Sequence, residues 1–420
     1  MAGIKRATYR GVGLFANGMQ INRASAFGAS GTLTKEDVFE IGNSGIAGII
    51  DDENEVTVTI DATEYGAVDT LATLAGKANS EVVTEIDFSK DFEYSKADIW
   101  NYVLENGTDT YATELVPACT LTSYNANYSV DGSATESFSL VGDNKYWFMN
   151  GLKGISEKEA SEELGTFTIV AGTKAKLLSL WAAQQLIIPQ EGKYLKRKFV
   201  EPEQYTVSVT GGTITITDVE EGVIEEPDWI LVGTVASDVE GAKFAPITDG
   251  TSVGKRRGHI DVYLVSGVTK SGTTFITNAL QRSARLFKVQ SVSVDASLTR
   301  EEIPQLGDTR VYDRPLQLPM DVTVSFDLVF GELAAFAQFC GESESADELS
   351  LENFKSDLGL LVRIRDERDI DTPGAEGVAV KEIHVPYLIP TDEAFNISLD
   401  GQATQTFSFR SHELGIKKVS

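Results

Sequence analysis

Three histidines are the natural starting point for chemistry, because imidazole titrates near neutrality and is the commonest nitrogen ligand for metals. His259, His384 and His412 are scattered and lack metal-ligand spacing. Structural or exposed roles are expected for all three. No G-x-S-x-G nucleophile elbow occurs. Gly250-Thr251-Ser252-Val253-Gly254-Lys255 mimics a phosphate loop but is one residue short between its glycines, and Arg256 stands where Ser or Thr would hold magnesium. Gly42-Asn43-Ser44-Gly45-Ile46-Ala47-Gly48 has the wrong spacing for a dinucleotide site and reads as a flexible loop. Asp51-Asp52-Glu53 lacks the glycine and closing glutamate of a calcium loop. The pattern predicts no catalytic site, no metal and no cofactor.

Cys119 and Cys340 are far apart and form no redox or metal pair. Two buried free thiols are expected, the other reading being a cross-link between subunits. The formal charge of −27 argues against binding DNA through its phosphates, which requires Lys and Arg. It fits a surface that DNA passes without sticking, and equally an acidic surface kept for solubility. The basic islands Lys196-Arg197-Lys198 and Lys255-Arg256-Arg257 suit solvated loops or nearby carboxylates, or docking on an acidic neighbour. The N-terminus lacks a secretory apolar stretch, and the most apolar segment, Leu177 to Pro189, is too short for a bilayer. A soluble protein without membrane contact is expected.

The elements that would position any site come in two sets. Leu33-Thr34-Lys35-Glu36-Asp37-Val38-Phe39-Glu40-Ile41-Gly42-Asn43 returns as Leu298-Thr299-Arg300-Glu301-Glu302-Ile303-Pro304-Gln305-Leu306-Gly307-Asp308. Glu55 to Asp61 returns as Asp321 to Asp327. Apolar residues alternate with hydroxyls there, as in half-buried strands. Val56, Val58 and Ile60 face a core in one copy, and Val322, Val324 and Phe326 in the other. A helical period follows each: Val68, Leu71, Ala72 and Ala75 before Gly76, then Leu333, Phe336, Ala337 and Cys340 before Gly341. Ser129 to Ser139 returns as Ser398 to Ser408, with hairpin turns at Asp131-Gly132 and Asp400-Gly401. Offsets stay between 265 and 269 across these blocks. The chain therefore carries one unit twice, over about 20–150 and 284–420.

Residues 1–19 then form an N-terminal arm and 151–283 an insert. Within the insert, Ser156 to Leu164 and Lys174 to Leu186 read as helical. Tyr205 to Thr210 and Thr213 to Thr217 read as a hairpin across Gly211-Gly212, and Trp229 to Val232 and Ile260 to Val265 as strands. The fold class expected is mainly β: two tandem β-sandwich domains, each with a flanking helix, around a small β-rich insert.

The order strand, long loop, strand, helix and late hairpin closing on Ser-x-Asp-Gly-x-Ala-Thr resembles the tail tube family of tailed phages. The resemblance rests on Leu298 to Asp308, the strand Val322 to Phe326, and the Ser129 and Ser398 blocks. It covers both copies and not the middle. It implies rings of six sandwiches that stack into a tube for double-stranded DNA, and hence three duplicated chains per ring. It also implies a virion tail location and partners that include further copies of the chain, tape measure, tail terminator and baseplate proteins. Passing DNA would be conducted without specific binding. The polar sheet faces carrying Thr57, Thr59, Ser137, Ser139, Thr323, Ser325, Thr406 and Ser408 suit a watery wall. The loops Ser44–Asn54 (Ser44, Gly45, Asp51, Asp52, Glu53) and Thr309–Met320 (Arg310, Tyr312, Arg314) are candidates for ring stacking. The alternatives are a tube initiator, a decoration protein, or an adhesive β protein that binds glycans or a host surface. In the adhesive case Trp147 and Phe148 would serve, unless they belong to a core or interface.

Overall fold

Period-two alternation is answered by a structure built mainly of antiparallel β-sheets. The computed structural model describes residues 12–16, 19–21, 23–39, 46–77, 85–105, 109–149, 154–159, 167–168, 174–175, 186–190, 194–198, 205–210, 213–218, 229–235, 255–266, 283–286, 288–304, 311–329, 337, 339–340, 358–366, 377–397 and 403–419.

The N-terminal elements are β1 (Val12–Ala16), β2 (Met19–Gln20), β3 (Ala24–Phe39), β4 (Ile46–Thr63), helix α1 (Asp69–Leu74) and β5 (Glu85–Asp87). They continue with the short helix α2 (Phe88–Asp91), β6 (Ala97–Glu105), β7 (Asp109–Ser129), β8 (Thr135–Gly142) and β9 (Tyr146–Met149). The middle contributes β10 (Gly154–Glu159), β11 (Phe167–Thr168), β12 (Lys174–Ala175), β13 (Leu186–Gln190), β14 (Tyr194–Lys198), β15 (Tyr205–Thr210), β16 (Thr213–Asp218) and β17 (Trp229–Val235). Next come β18 (Ile260–Ser266), β19 (Ser283–Arg285), β20 (Val289–Ser297), β21 (Ile303–Pro304), β22 (Val311–Asp313) and β23 (Asp321–Val329). The chain closes with β24 (Leu358–Arg365), β25 (Ala379–Val385), β26 (Ile389–Asn396), β27 (Thr404–Ser411) and β28 (Gly415–Lys418).

Eight strands run side by side in the order β3-β4-β8-β7-β20-β23-β27-β26. The N-terminal half of β7 leaves this run to pair with β6 and β9, and β1 and β2 extend that side. A second sheet runs β19-β18-β24-β25-β28-β5. One apolar core takes side chains from both sheets, among them Val58, Ile60, Val294 and Val324 from the first and Val262, Leu360, Ile383 and Ile416 from the second. Each such aliphatic side chain contributes about 1.5–3 kcal/mol by leaving water. Phe326, Phe339 and Phe407 pack ring to ring, with centroids 4.8–5.7 Å apart. Among the described residues, no helix is long and apolar enough to cross a membrane.

Pairings in the N-terminal set recur in the C-terminal set. Ala24↔Ala62 is followed by a bulge and then Ala26↔Asp61, just as Val289↔Leu328 is followed by a bulge and Ser291↔Asp327. Leu121↔Leu140 steps to Ser123↔Ser139, as Pro390↔Phe409 steps to Asp392↔Ser408. Non-glycine residues with positive φ fall at matching places: Arg23 (58°) with Lys288 (61°), and Ala118 (54°) with Tyr387 (52°). Ala118 and Tyr387 stand where the chain passes from one sheet to the other, an uncommon conformation that a packed corner must hold.

α1 ends as glycine chemistry dictates. Gly76 adopts φ 72°, and the Lys77 amide donates to the Ala72 carbonyl at 2.8 Å. In the second set, Ala337, Phe339 and Cys340 are helical, while Leu333, Phe336 and Gly341 lie outside the described residues.

Several expectations are corrected. Ile46–Asn54 is not a loop but the outer part of β4, paired with Leu33–Phe39. Asp51, Asp52 and Glu53 are therefore strand residues, while Ser44 and Gly45 lie outside the described set. Glycine and acidic residues suggested a loop, but the backbone pairs Ile46, Ile49 and Ile50 with Phe39, Asp37 and Glu36 in register. Ser156–Glu159, expected to be helical, lies in β10 against β17; pairing with an apolar strand overrides weak helical periodicity. Lys174–Ala175 pairs with β17 and Leu186 opens β13, whereas 160–166 and 176–185 lie outside the described residues. The Tyr205–Thr217 hairpin is present, with Thr210 opposite Thr213. Val12–Ala16, within the expected arm, pairs with β6, and Ile260–Ser266, within the expected insert, pairs with β24.

Candidate assembly interface

The candidate surface is the sheet itself, beginning at its central seam. There β7 meets β20 from Ser123↔Ser297 to Ser129↔Ser291. Backbone bonds close both ends, Leu298 N–H to the Thr122 carbonyl at 2.8 Å and Val130 N–H to the Gln290 carbonyl at 2.9 Å. By antiparallel alternation, Asp295↔Asn125 and Ser293↔Asn127 are the closer, non-hydrogen-bonded pairs. Tyr124, Ala126 and Tyr128 face the core opposite Ala296, Val294 and Val292.

The other face of the sheet is largely polar, with Val141 and Ala394 among its apolar members. Thr57, Thr59, Ser137, Ser139, Thr323, Ser325, Thr406 and Ser408 occupy it together, because each alternates with a buried neighbour on its strand. Asp61 accepts from the Ser137 hydroxyl at 2.6 Å, and Asp327 from those of Thr406 and Ser291, each at 2.6 Å. Asn125 donates to Ser293 at 3.3 Å and also to Asp295. Carboxylates and hydroxyls are thus tied to one another and leave few donors for a phosphate.

Beneath the seam lies a buried ionic centre. Lys381 on β25 donates to Glu64 Oε2 at 2.7 Å and to Glu136 Oε1 at 2.6 Å. Tyr124 donates to Glu136 at 2.6 Å, and Tyr128 to Glu64 at 3.3 Å. Burial pushes the Glu136 carboxyl up, Glu64 adds to this and Lys381 opposes it, leaving it at about 7. Burial alone would lower the Lys381 ammonium, but Glu136 and Glu64 more than reverse that and hold it above its ordinary value. Two carboxylates share one cation, so the centre favours taking up a proton. Sequence reasoning missed it, since each of these residues looks like an ordinary surface charge.

Further contacts join the two strand sets. The Arg300 guanidinium donates to the carbonyls of Phe92 (2.6 Å), Glu93 (3.0 Å), Leu121 and Arg314. Arg314, expected on a stacking loop, is 5% exposed and paired with Asp143 and Glu302. A buried guanidinium requires such partners, and the turn carrying it folds inward to supply them. Arg310 lies outside the described residues, and Tyr312 is in β22. Asp131-Gly132 forms the β7–β8 turn; Asp400 and Gly401 lie outside the described residues.

The residues first considered for chemistry remain apart. His384 is buried with Nε2 3.2 Å from Glu382, which also binds Arg363. His412 Nδ1 lies 3.0 Å from the Met320 carbonyl, and His259 Nδ1 takes the Arg256 amide at 3.2 Å. Lys255 is buried against Asp366 at 2.9 Å, with its backbone bonded to Glu64 and Ala134. Lys196-Arg197-Lys198 lies in β14. Cys119 and Cys340 are both buried free thiols, and burial pushes the Cys119 thiol up. Among the described residues no group of His, Cys, Asp or Glu could hold a metal ion.

No model of a known protein family matches the chain, and no curated protein matches it. Among solved structures, it is similar to a chain of the anti-feeding prophage tube-terminating cap. That match has 14% identity and a TM-score of 0.27 and covers 36% of this chain and 95% of the other. A chain of the six-fold symmetrised anti-feeding prophage baseplate matches at 10% identity and a TM-score of 0.27, covering 40% and 99%. Overlaps of this depth assign neither a fold nor a role.

Proposed function

We propose that the chain is a structural protein of a phage tail that assembles edge to edge into rings, whose stack forms a tube for double-stranded DNA. One observation carries the reading. Among the described residues, the edges of the eight-strand run are β3 and β26, and these correspond in register to β20 and β7, the two strands that pair at its centre. Edges of this kind are complementary to each other and not to themselves, which is the requirement for a heterologous contact that closes a ring.

Residues Val12–Met149 and Ile260–Lys418 are taken as two copies of one β-sandwich unit, and the stretch between them as an insert. Shared bulges and shared positive-φ positions support this duplication. Three chains would then supply six units per ring. The hydroxyl and carboxylate face would line the lumen, where like charge keeps DNA from adsorbing. The outer part of the β3–β4 hairpin would reach the next ring, and other tail proteins would cap the stack. No catalytic role is proposed.

Negative-stain electron microscopy of the concentrated protein tests this. Hollow stacked tubes with threefold ring averages are expected; discrete particles without a lumen would overturn it.

A further inference from the structure

The edges β3 and β26 carry more than the possibility of contact, because the internal seam supplies a template for their register. We infer that β26 of one chain pairs antiparallel with β3 of a second copy, Phe27 opposite Ile397, Ala29 opposite Phe395 and Ser30 opposite Ala394. This rests on the edge-to-edge reading above and adds a partner, an orientation and a register to it.

The correspondence is fixed by pairings on the page. Ser291–Ser297 of β20 matches Ala26–Thr32 of β3, since each binds the adjoining strand through the same bulge and sequence of pairs. Ser123–Asn127 of β7 matches Asp392–Asn396 of β26 on the same grounds. Transferring Val292↔Tyr128, Val294↔Ala126 and Asp295↔Asn125 to β3 and β26 yields the three pairs named.

Edge chemistry supports that placement on the β3 side, while on β26 the charged Asp392 and Glu393 fall opposite the uncharged Thr32 and Gly31. Ala24 to Thr34 contains no charged residue and no proline, although natural sheets protect a lasting edge with both. Within this run Ala24–Ala26 and Ser30–Thr32 are exposed. On the facing edge, Phe395 is 50% and Ile397 74% exposed, where their counterparts Ala126 and Tyr128 are buried by β20. Volumes are traded across the pairs: small Ala29 meets large Phe395, where Val294 meets Ala126. A slip of one residue would set Phe395 and Ile397, on the core side, opposite β3 residues that point to the polar face.

The two seams also differ in a way that keeps them distinct. Lys381 and Glu136 of the internal seam correspond by pairing to Ala112 and Gln405. The seam between chains therefore has no counterpart of the ionic centre.

Full-length protein carrying Ser30→Cys and Ala394→Cys tests the register, because this is a closer, non-hydrogen-bonded pair whose Cα separation of roughly 4.5 Å suits a disulfide. Six strands separate the two positions within one chain, so any bond joins different chains. Oxidation of the assembled protein should give reducible dimers and trimers on a non-reducing gel, while each single variant stays monomeric. Ser30→Cys with Asp392→Cys, shifted by two residues, should cross-link no better than the single variants. Rings that form without the Ser30–Ala394 cross-link, or that cross-link in the shifted pair, would overturn the register and leave the ring reading standing. Absence of any assembly at high concentration would overturn both.

Discussion

Lys381 Nζ stands between Glu136 at 2.6 Å and Glu64 at 2.7 Å, with its side chain 0% exposed. It comes from the C-terminal strand set and both carboxylates from the N-terminal one, 317 and 245 positions away. The contact is thus a tie between the two halves of the chain. Its cation cannot be withdrawn without leaving two buried carboxylates deprived of their shared counter-charge. Lys381→Met should cost about 3–5 kcal/mol, measured by urea denaturation. Combining it with Glu64→Gln and Glu136→Gln should recover most of that loss. A single variant as stable as wild type would show that the centre does not hold the halves together.

The same centre predicts a pH dependence. Glu136 is held at about 7, against 4.5 for an ordinary glutamate, so the folded state binds this proton more tightly than the unfolded one. Its contribution to stability is therefore greatest at low pH and declines as pH rises through that interval. Glu136→Gln places the residue type of position 405 there and removes the titration. Between roughly pH 5 and 8, wild-type stability should fall relative to the variant's as pH rises. Parallel curves would contradict the assignment.

Gly66 packs against the C-terminal set through backbone that tolerates no side chain. Its φ is 89°, and an added Cβ would lie 2.6 Å from Val380 Cγ2. Gly66→Ala should lower stability by about 1–3 kcal/mol, seen as a reduced melting temperature.

Arg300 binds carbonyls of both strand sets, and the matching sequence block Leu33 to Asn43 has Lys35 at its position. Lysine is a point donor and cannot span them. Arg300→Lys should cost about 1.5–3 kcal/mol in chemical denaturation.

Replacing Lys35–Asp51 with a two-residue Asn-Gly turn shortens both arms of the β3–β4 hairpin together, because Lys35 pairs with Asp51. Electron micrographs should then show single rings in place of tubes. Tubes of unchanged length would exclude this hairpin from stacking.

Much of the strand pattern was legible without coordinates. Val56-Thr57-Val58-Thr59-Ile60 and Val322-Thr323-Val324-Ser325-Phe326 alternate so regularly that core and polar faces follow from period two alone. Glu55 to Asp61 falls in β4 and Asp321 to Asp327 in β23, as the alternation required, and Gly76 marked where α1 ends. Ile260 to Val265 reads as a strand but falls in the expected insert, and Val12–Ala16 falls in the expected arm, with no link drawn between them. Val12, Leu14 and Phe15 have apolar counterparts in Ile260, Val262 and Tyr263, but so short a match marks no repeat by itself, and it is the matching backbone pairings that relate the two strands.

Side-chain periodicity alone determined which residues lie inside each sheet and which face out, because burial acts on residue type and strands alternate by geometry. Tertiary structure decided which strands are neighbours. Backbone amides and carbonyls are the same in every residue, so no side chain announces that β7 pairs with β20 or that β3 and β26 are left as edges. It also decided that Lys381 is enclosed rather than solvated, since a buried charge and a surface charge are spelled with the same letter.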